Sequence, residues 1–150
     1  MLASSAFDPQ DPYPFLRACS TILTASQRHM TVVVSAGEHG AFVFTRGVWH
    51  HCPAAPAQVV STAGAGDALL GGILSGIAAG IPLVPSSPST GSISERPLES
   101  ALQMAVLLAS FSVTSPHTIH PEANLEGLLQ FANRTGVTFS DCVSRFFRER

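Results

Sequence analysis

Charge is what this sequence has least of. Lys, Arg, Asp and Glu together make up 12% of its 150 residues, where soluble domains ordinarily carry about 25%. Apolar side chains make up 45%. A surface this short of charge is expected where another subunit or further polypeptide covers part of it, because monomers seldom expose large apolar patches. A formal net charge of −2 and no basic stripe leave nothing to draw the chain to nucleic acid or to an anionic membrane. Cysteine is sparse as well. Cys19, Cys52 and Cys142 form no CxxC pair, so neither a disulfide framework nor a zinc site is suggested, and a reducing, cytoplasmic setting is the default. The opening stretch MLASSAFDPQDPYPF lacks a basic segment followed by an apolar core and does not read as a signal peptide. The longest apolar run, residues 68–84, is broken by glycines and is short for a membrane span.

What remains reads as a single domain of mixed helix and strand. Residues 1–14, with Pro9, Pro12 and Pro14, predict an irregular lead into a helix over 15–27. TVVVSAG (31–37) has the β-branched continuity of a strand buried on both faces, with GEHG as a tight turn after it. AFVFT and VWHHC flank Arg46-Gly47 and predict a hairpin. A helix is expected over 65–79, rich in small residues (Ala68, Gly71, Gly72, Ser75, Gly76, Ala79) that allow close approach. Its intrinsic propensity is poor, so packing must hold it. Residues 82–97 read as a flexible Pro/Ser/Gly loop. A helix over 98–114 is apolar nearly all round and should be buried. EANLEGLLQFANR predicts an amphipathic helix, and VTFSDCVSRFFRER a last short one whose phenylalanines need a partner surface.

The chemistry concentrates in one place. Gly64, Ala65 and Gly66 stand directly before Asp67 at the expected start of a helix, where N–H groups lack intrahelical partners and the macrodipole favours an anion. An acid there has two readings. It can simply complement the dipole beside a glycine turn, or it can be a general base taking a proton from an attacking hydroxyl while the amides stabilise a moving phosphoryl group. Spacing alone leaves both open.

STAGAGDALLGGIL (61–74) resembles the second signature of the ribokinase-like (PfkB) carbohydrate kinases, and TVVVSAGEHGAFVF resembles the strand and GxxGA turn that precede it in that family. The likeness extends over about residues 31–132. It implies an α/β fold, a partial ribokinase-like three-layer α/β/α sandwich, and an ATP-dependent transfer of phosphate to a sugar or nucleoside hydroxyl with Mg²⁺ carried by the nucleotide. By the same resemblance Asp67 is the catalytic base, Gly64, Ala65 and Gly66 form the anion hole, and Ser35, Gly37 and Thr62 lie along the nucleotide. Ser61 stands where the family often carries an Asp that helps to bind a monovalent cation, so cation activation is not carried over. An apolar residue near Val106 replaces an Asn that contacts nucleotide in some ribokinases. ASFSVTSPHTIHPEANLEGLL (109–129) resembles the pseudouridine kinase branch through Ser115, Thr118 and Pro121.

The resemblance also implies an absence. The sugar-binding residues and the Asn-x-x-Glu motif that helps to organise Mg²⁺ are not found in these residues, so residues 1–150 are expected to be the C-terminal part of a kinase domain. By itself that part should be a poor catalyst, associated with a missing N-terminal half or as a homodimer. The alternative is a truncated, non-catalytic nucleotide-binding or dimerising protein, or a fragment with no independent existence. No metal site is expected: His50 and His51 alternate across a strand, and His117 and His120 read as surface residues. Trp49 reads as hairpin packing, and Glu95, Arg96 and the arginines of 145–150 as solvated charge.

Overall fold

The structure is a computed structural model that describes residue 8 and residues 11–26, 30–87 and 91–148. Helix α1, Tyr13–Ser26, starts two residues ahead of the expected position. Pro14 sits within its first turn, where a missing N–H costs nothing because no partner awaits it. The expected end at Gln27 lies outside the described residues.

Strands β1 (Val32–Ser35), β2 (Ala41–Thr45) and β3 (Val48–Cys52) follow. They form one antiparallel sheet in the order β1-β2-β3. Arg46 and Gly47 both take positive φ, 52° and 81°, as a two-residue hairpin requires. The expectation that the first strand is buried on both faces is corrected. Among the described residues it pairs only with β2 and alternates between half-buried and exposed residues, as an edge strand of an antiparallel sheet does. The fully buried strand is β2, from Ala41 to Phe44, which is flanked on both sides. The GEHG turn is a short 3-10 turn, Gly37–His39.

Side chains alternate across the sheet. Phe42, Val34 and Trp49 pack with Phe15, Leu16 and Ala36 beneath α1. The indole N–H of Trp49 donates to Ser20 Oγ, so this Trp is bound into the α1 contact. Ala41, Val43 and Cys52 face the other way, into the main core. That core is built on α3, Ala101–Ser112, with α2, Ala65–Ala78, packed on it. Helix α3 thus lies between the sheet and α2, which explains its burial: every residue from Ala101 to Leu107 is buried.

Helices α2 and α3 run antiparallel with their backbones nearly touching. A Cβ on Gly72 would lie 2.7 Å from Ala105 Cα, and one on Gly76 would lie 2.6 Å from Ala101 Cβ. Only part of the small-residue run serves this contact, since a Cβ on Gly71 would meet nothing within 4 Å. The opposite face of α2 carries Leu70, Leu74 and Ile77, at 57%, 58% and 49% exposure, an apolar stripe in keeping with the charge-poor composition.

Helix α3 is shorter than its apolar run suggested. Ser100 caps it, accepting the N–H of Gln103 at 3.3 Å, while Gln103 Oε1 accepts from Ser100 Oγ at 2.9 Å and from the N–H of Glu99 at 3.0 Å. This is a capping arrangement with the S-x-x-Q spacing. Leu98, expected inside the helix, forms an isolated parallel bridge with Phe139. The segment 82–97 has no helix or strand among its described residues. Ile93 nevertheless enters the core, and the carbonyls of Pro82 and Leu83 accept from Ala101 and Leu102 at 2.8 and 3.0 Å.

Helix α4, Leu125–Arg134, is capped by Asn124, whose Oδ1 accepts from Gly127 at 2.9 Å. Helix α5 is Asp141–Arg148. Phe139, Phe146 and Phe147 find their surface on Ile81, Ala101, Met104 and Val143. Among the described residues no helix is long and apolar enough to cross a membrane.

Candidate phosphate cradle at the start of helix α2

The chain leaving β3 is fastened step by step along α3 before α2 begins. Gly40, at the turn after β1, takes φ 86°, and a Cβ there would sit 2.0 Å from the carbonyl oxygen of Cys52. The strand-end turn that carries Ser35 and Gly37 is therefore pressed against the exit of β3. Ala55 N–H then donates to the buried Ser110 Oγ at 3.0 Å. Next, the N–H groups of Val60 and Ser61 both donate to the carbonyl of Val113, at 2.8 and 3.2 Å. The exit of β3, beside Gly40, and the loop before α2 are thus both fastened to the last turns of α3.

Ser61 Oγ accepts from Ala63 N–H at 3.2 Å, closing a small turn. Gly64 follows with φ 84° and ψ −8°, and α2 starts at Ala65 without a side-chain cap. Ala65 donates to Thr62 O at 3.3 Å and Ala68 to Gly64 O at 2.9 Å. No acceptor among the described residues takes the N–H groups of Gly64, Gly66 or Asp67. Of the three expected anion-hole residues, Gly64 and Gly66 therefore present free donors, whereas the Ala65 N–H is turned back to close the loop. Thr62, Gly66 and Asp67 are exposed. A Cβ on Gly66 would meet nothing within 4 Å, so the side of the turn that it would occupy is open. Free N–H groups at a helix start, with a carboxylate in the same turn, can hold an anion and accept a proton at adjacent positions.

The outer wall is the stretch after α3. The carbonyl oxygen of Thr118 would be 2.1 Å from any Cβ at position 64. Ser115, buried, accepts the N–H of His117 on its Oγ at 3.1 Å. Val106 lies in the core of α3.

The pfkB family carbohydrate kinase model matches residues 16–136. The chain belongs to this family. It is 32% identical over 110 residues to the deoxyribokinases of Salmonella typhi and Salmonella typhimurium, a match covering 73% of this chain and 31% of theirs. It is 44% identical over 52 residues to an uncharacterized sugar kinase of Escherichia coli, 35% of this chain and 16% of that one. The pfkB-family chain spans about a third of the length of the deoxyribokinases it matches. Among solved structures it resembles aminoimidazole riboside kinase from Salmonella enterica, complexed with aminoimidazole riboside and an ATP analog. That match has a TM-score of 0.55 at 26% identity, over 85% of this chain and 37% of that one. A protein from Clostridium perfringens described as a sugar kinase shares the fold, with a TM-score of 0.58 at 21% identity over 83% and 34% of the two chains. The three-layer expectation is met by α1, the sheet and α3.

Of the other singled-out residues of this pfkB-family chain, His51 has structural partners. His51 stacks on Phe42, with ring centroids 4.3 Å apart, and its Nε2 lies 2.7 Å from His39 O. His50 is on the opposite face of β3, its pKa lowered from the usual 6.5 by burial. Burial pushes the Cys52 thiol up to about 12. Among the described residues no three His, Cys, Asp or Glu side chains gather to hold a metal. The anchors Ser110 and Val113 were not foreseen. Ser110 had a visible signal, a hydroxyl in an otherwise apolar helix, whereas Val113 acts through its backbone and had none.

Proposed function

We propose that residues 1–150 form the C-terminal, nucleotide-side part of an ATP-dependent kinase acting on a hydroxyl of a sugar or nucleoside. The observation that carries this reading is the juxtaposition of an uncapped, exposed Asp67 with the free N–H groups of Gly64, Gly66 and its own backbone, inside a family whose members are carbohydrate kinases. Asp67 takes the proton of the attacking hydroxyl as its oxygen bonds to the γ-phosphorus and the bond to the β,γ-bridging oxygen breaks. The cradle N–H groups donate to the phosphoryl oxygens as charge shifts toward the leaving diphosphate. Ala65 shapes the turn through Thr62, and Ser35, Gly37 and Thr62 line the nucleotide.

ATP as donor is supported by the ATP analog in the aminoimidazole riboside kinase structure. Mg²⁺ held on the nucleotide would supply charge neutralisation, and the described residues offer no cluster of their own for it. The substrate class rests on the relatives: deoxyribokinases by sequence and a riboside kinase by structure. The pseudouridine reading rests on Ser115, Thr118 and Pro121 alone. Ser115 and Thr118 have local duties beside the cradle, which weakens them as marks of one substrate. A cytoplasmic setting fits three cysteines without a disulfide.

A second reading, a nucleotide-binding or dimerising chain without turnover, is favoured by the exposed stripe of Leu70, Leu74 and Ile77. Phosphoryl transfer from ATP to 2-deoxyribose, ribose and nucleosides, assayed with a whole kinase that contains these residues and with its Asp67→Asn variant, separates the two. Turnover lost on substitution supports the kinase; ATP-analog binding or self-association without turnover supports the second reading; absence of turnover, binding and self-association sinks both.

A further inference from the structure

The cradle turn is held from outside by residues 114–122, and one side chain fastens that stretch. The ring of His120 packs on Phe111 at 4.1 Å between centroids. Its Nδ1 accepts the N–H of Glu122 at 3.0 Å, which leaves the ring proton on Nε2. Nε2 is 3.2 Å from Thr114 Oγ1, and that hydroxyl spends its own hydrogen on Phe111 O at 2.8 Å. Nε2–H therefore donates to Thr114. A single imidazole joins the two ends of the stretch, Thr114 at one side and Glu122 at the other, and seats them on the last turns of α3.

Between those ends Ser115 is buried and its Oγ accepts the N–H of His117 at 3.1 Å. Residues 116–119 are all exposed, so burial does not fix their path. Within this span lies Thr118, whose carbonyl oxygen abuts Gly64. We infer that His120 is a positioning residue for the cradle: by clamping 114–122 it keeps the Thr118 carbonyl against Gly64 and so sets where the N–H groups of Gly64 and Gly66 point. The functional consequence rests on the reading of that turn as a phosphate cradle; the mechanical coupling between His120 and Gly64 does not.

The test uses the whole 150-residue chain, labelled with ¹⁵N. His120→Ala should move the amide resonances of Gly64, Ala65 and Gly66, and weaken binding of Mg²⁺ with a non-hydrolysable ATP analog by about tenfold, the scale of one lost hydrogen bond. His120→Asn, whose Oδ1 can still take the Glu122 N–H but whose short side chain cannot reach Thr114, should lie between wild type and His120→Ala in both readings. Resonances of 64–66 that stay in place while those of 114–122 move would overturn the coupling. Should His120→Ala not fold, Thr114→Val severs only the Nε2 tie and is read by the same two outcomes. A wild-type chain that ignores the analog defeats the cradle reading alone, because the resonance comparison still decides the coupling without ligand.

Discussion

Gly64 and Thr118 are in such close approach that any side chain at position 64 would place its Cβ 2.1 Å from the Thr118 carbonyl oxygen. The same glycine has φ 84°, where an L-residue is strained by about 1–2 kcal/mol. Gly64→Ala should therefore lose at least about 2 kcal/mol, strain and overpacking combined, and should abolish ATP-analog binding. Gly66→Ala is the control for space: nothing lies within 4 Å of its Cβ. Its stability should stay within about 1 kcal/mol of wild type while a methyl intrudes on the cradle. Thermal melts with analog titrations check both.

The α2–α3 contact makes a sharper contrast. Gly72→Ala and Gly76→Ala drive a methyl into Ala105 and Ala101 and should each cost about 1–3 kcal/mol. Gly71→Ala, one residue away and unobstructed, should stabilise by up to about 1 kcal/mol through helix propensity. Urea melts of the three variants should give opposite signs; equal signs would mean that the helices are not in backbone contact.

Asp67→Asn keeps the size of the side chain and removes the base. Turnover by the whole kinase should fall about 10²–10⁴-fold, with a loss of stability no larger than about 1 kcal/mol from the helix dipole. Unchanged turnover would return Asp67 to a purely electrostatic role at the helix start.

Thiol labelling should separate the cysteines. Cys142 is exposed and Cys52 buried, with the Cys52 thiol pushed from 9.0 up to about 12. A maleimide at neutral pH should modify Cys142 in the native chain and Cys52 only after unfolding. Because the folded pKa lies above the unfolded one, stability from Cys52 is constant below about 9 and is lost as pH rises toward 12. Cys52→Ala should flatten that alkaline limb.

His50 acts at the other end of the pH scale. Burial lowers its pKa below 6.5, so below that value the unfolded chain binds a proton that the folded one resists. Stability should fall as pH drops from 6.5, and His50→Gln should reduce the slope. Chemical denaturation at a series of acidic pH values measures this.

How much of this was legible beforehand varies by element. Arg46-Gly47 gave its hairpin away, because positive φ at two successive residues has few sequence solutions. The α2 start was equally plain, since Gly64 marks the turn and Asp67 the first helical turn. The start of α3 was misplaced although its signal, Ser100 and Gln103, lay in view: the apolar Leu98 extended the pattern past the cap. The first strand was misjudged for a different reason. Three successive valines look the same whether a strand is central or at an edge, and only its neighbours decide which.

The sequence by itself determined the local conformations and the composition of the cradle, because turn glycines, caps and helix starts depend on a few adjacent residues. It also determined the family, through a motif long enough to be specific. Tertiary structure alone decided which glycines must be glycine, which strand is buried and what stands behind the cradle. Those depend on approach between residues far apart in the chain, Gly72 with Ala105, Gly64 with Thr118 and Ser61 with Val113, and on backbone carbonyls that every residue carries and no sequence pattern distinguishes.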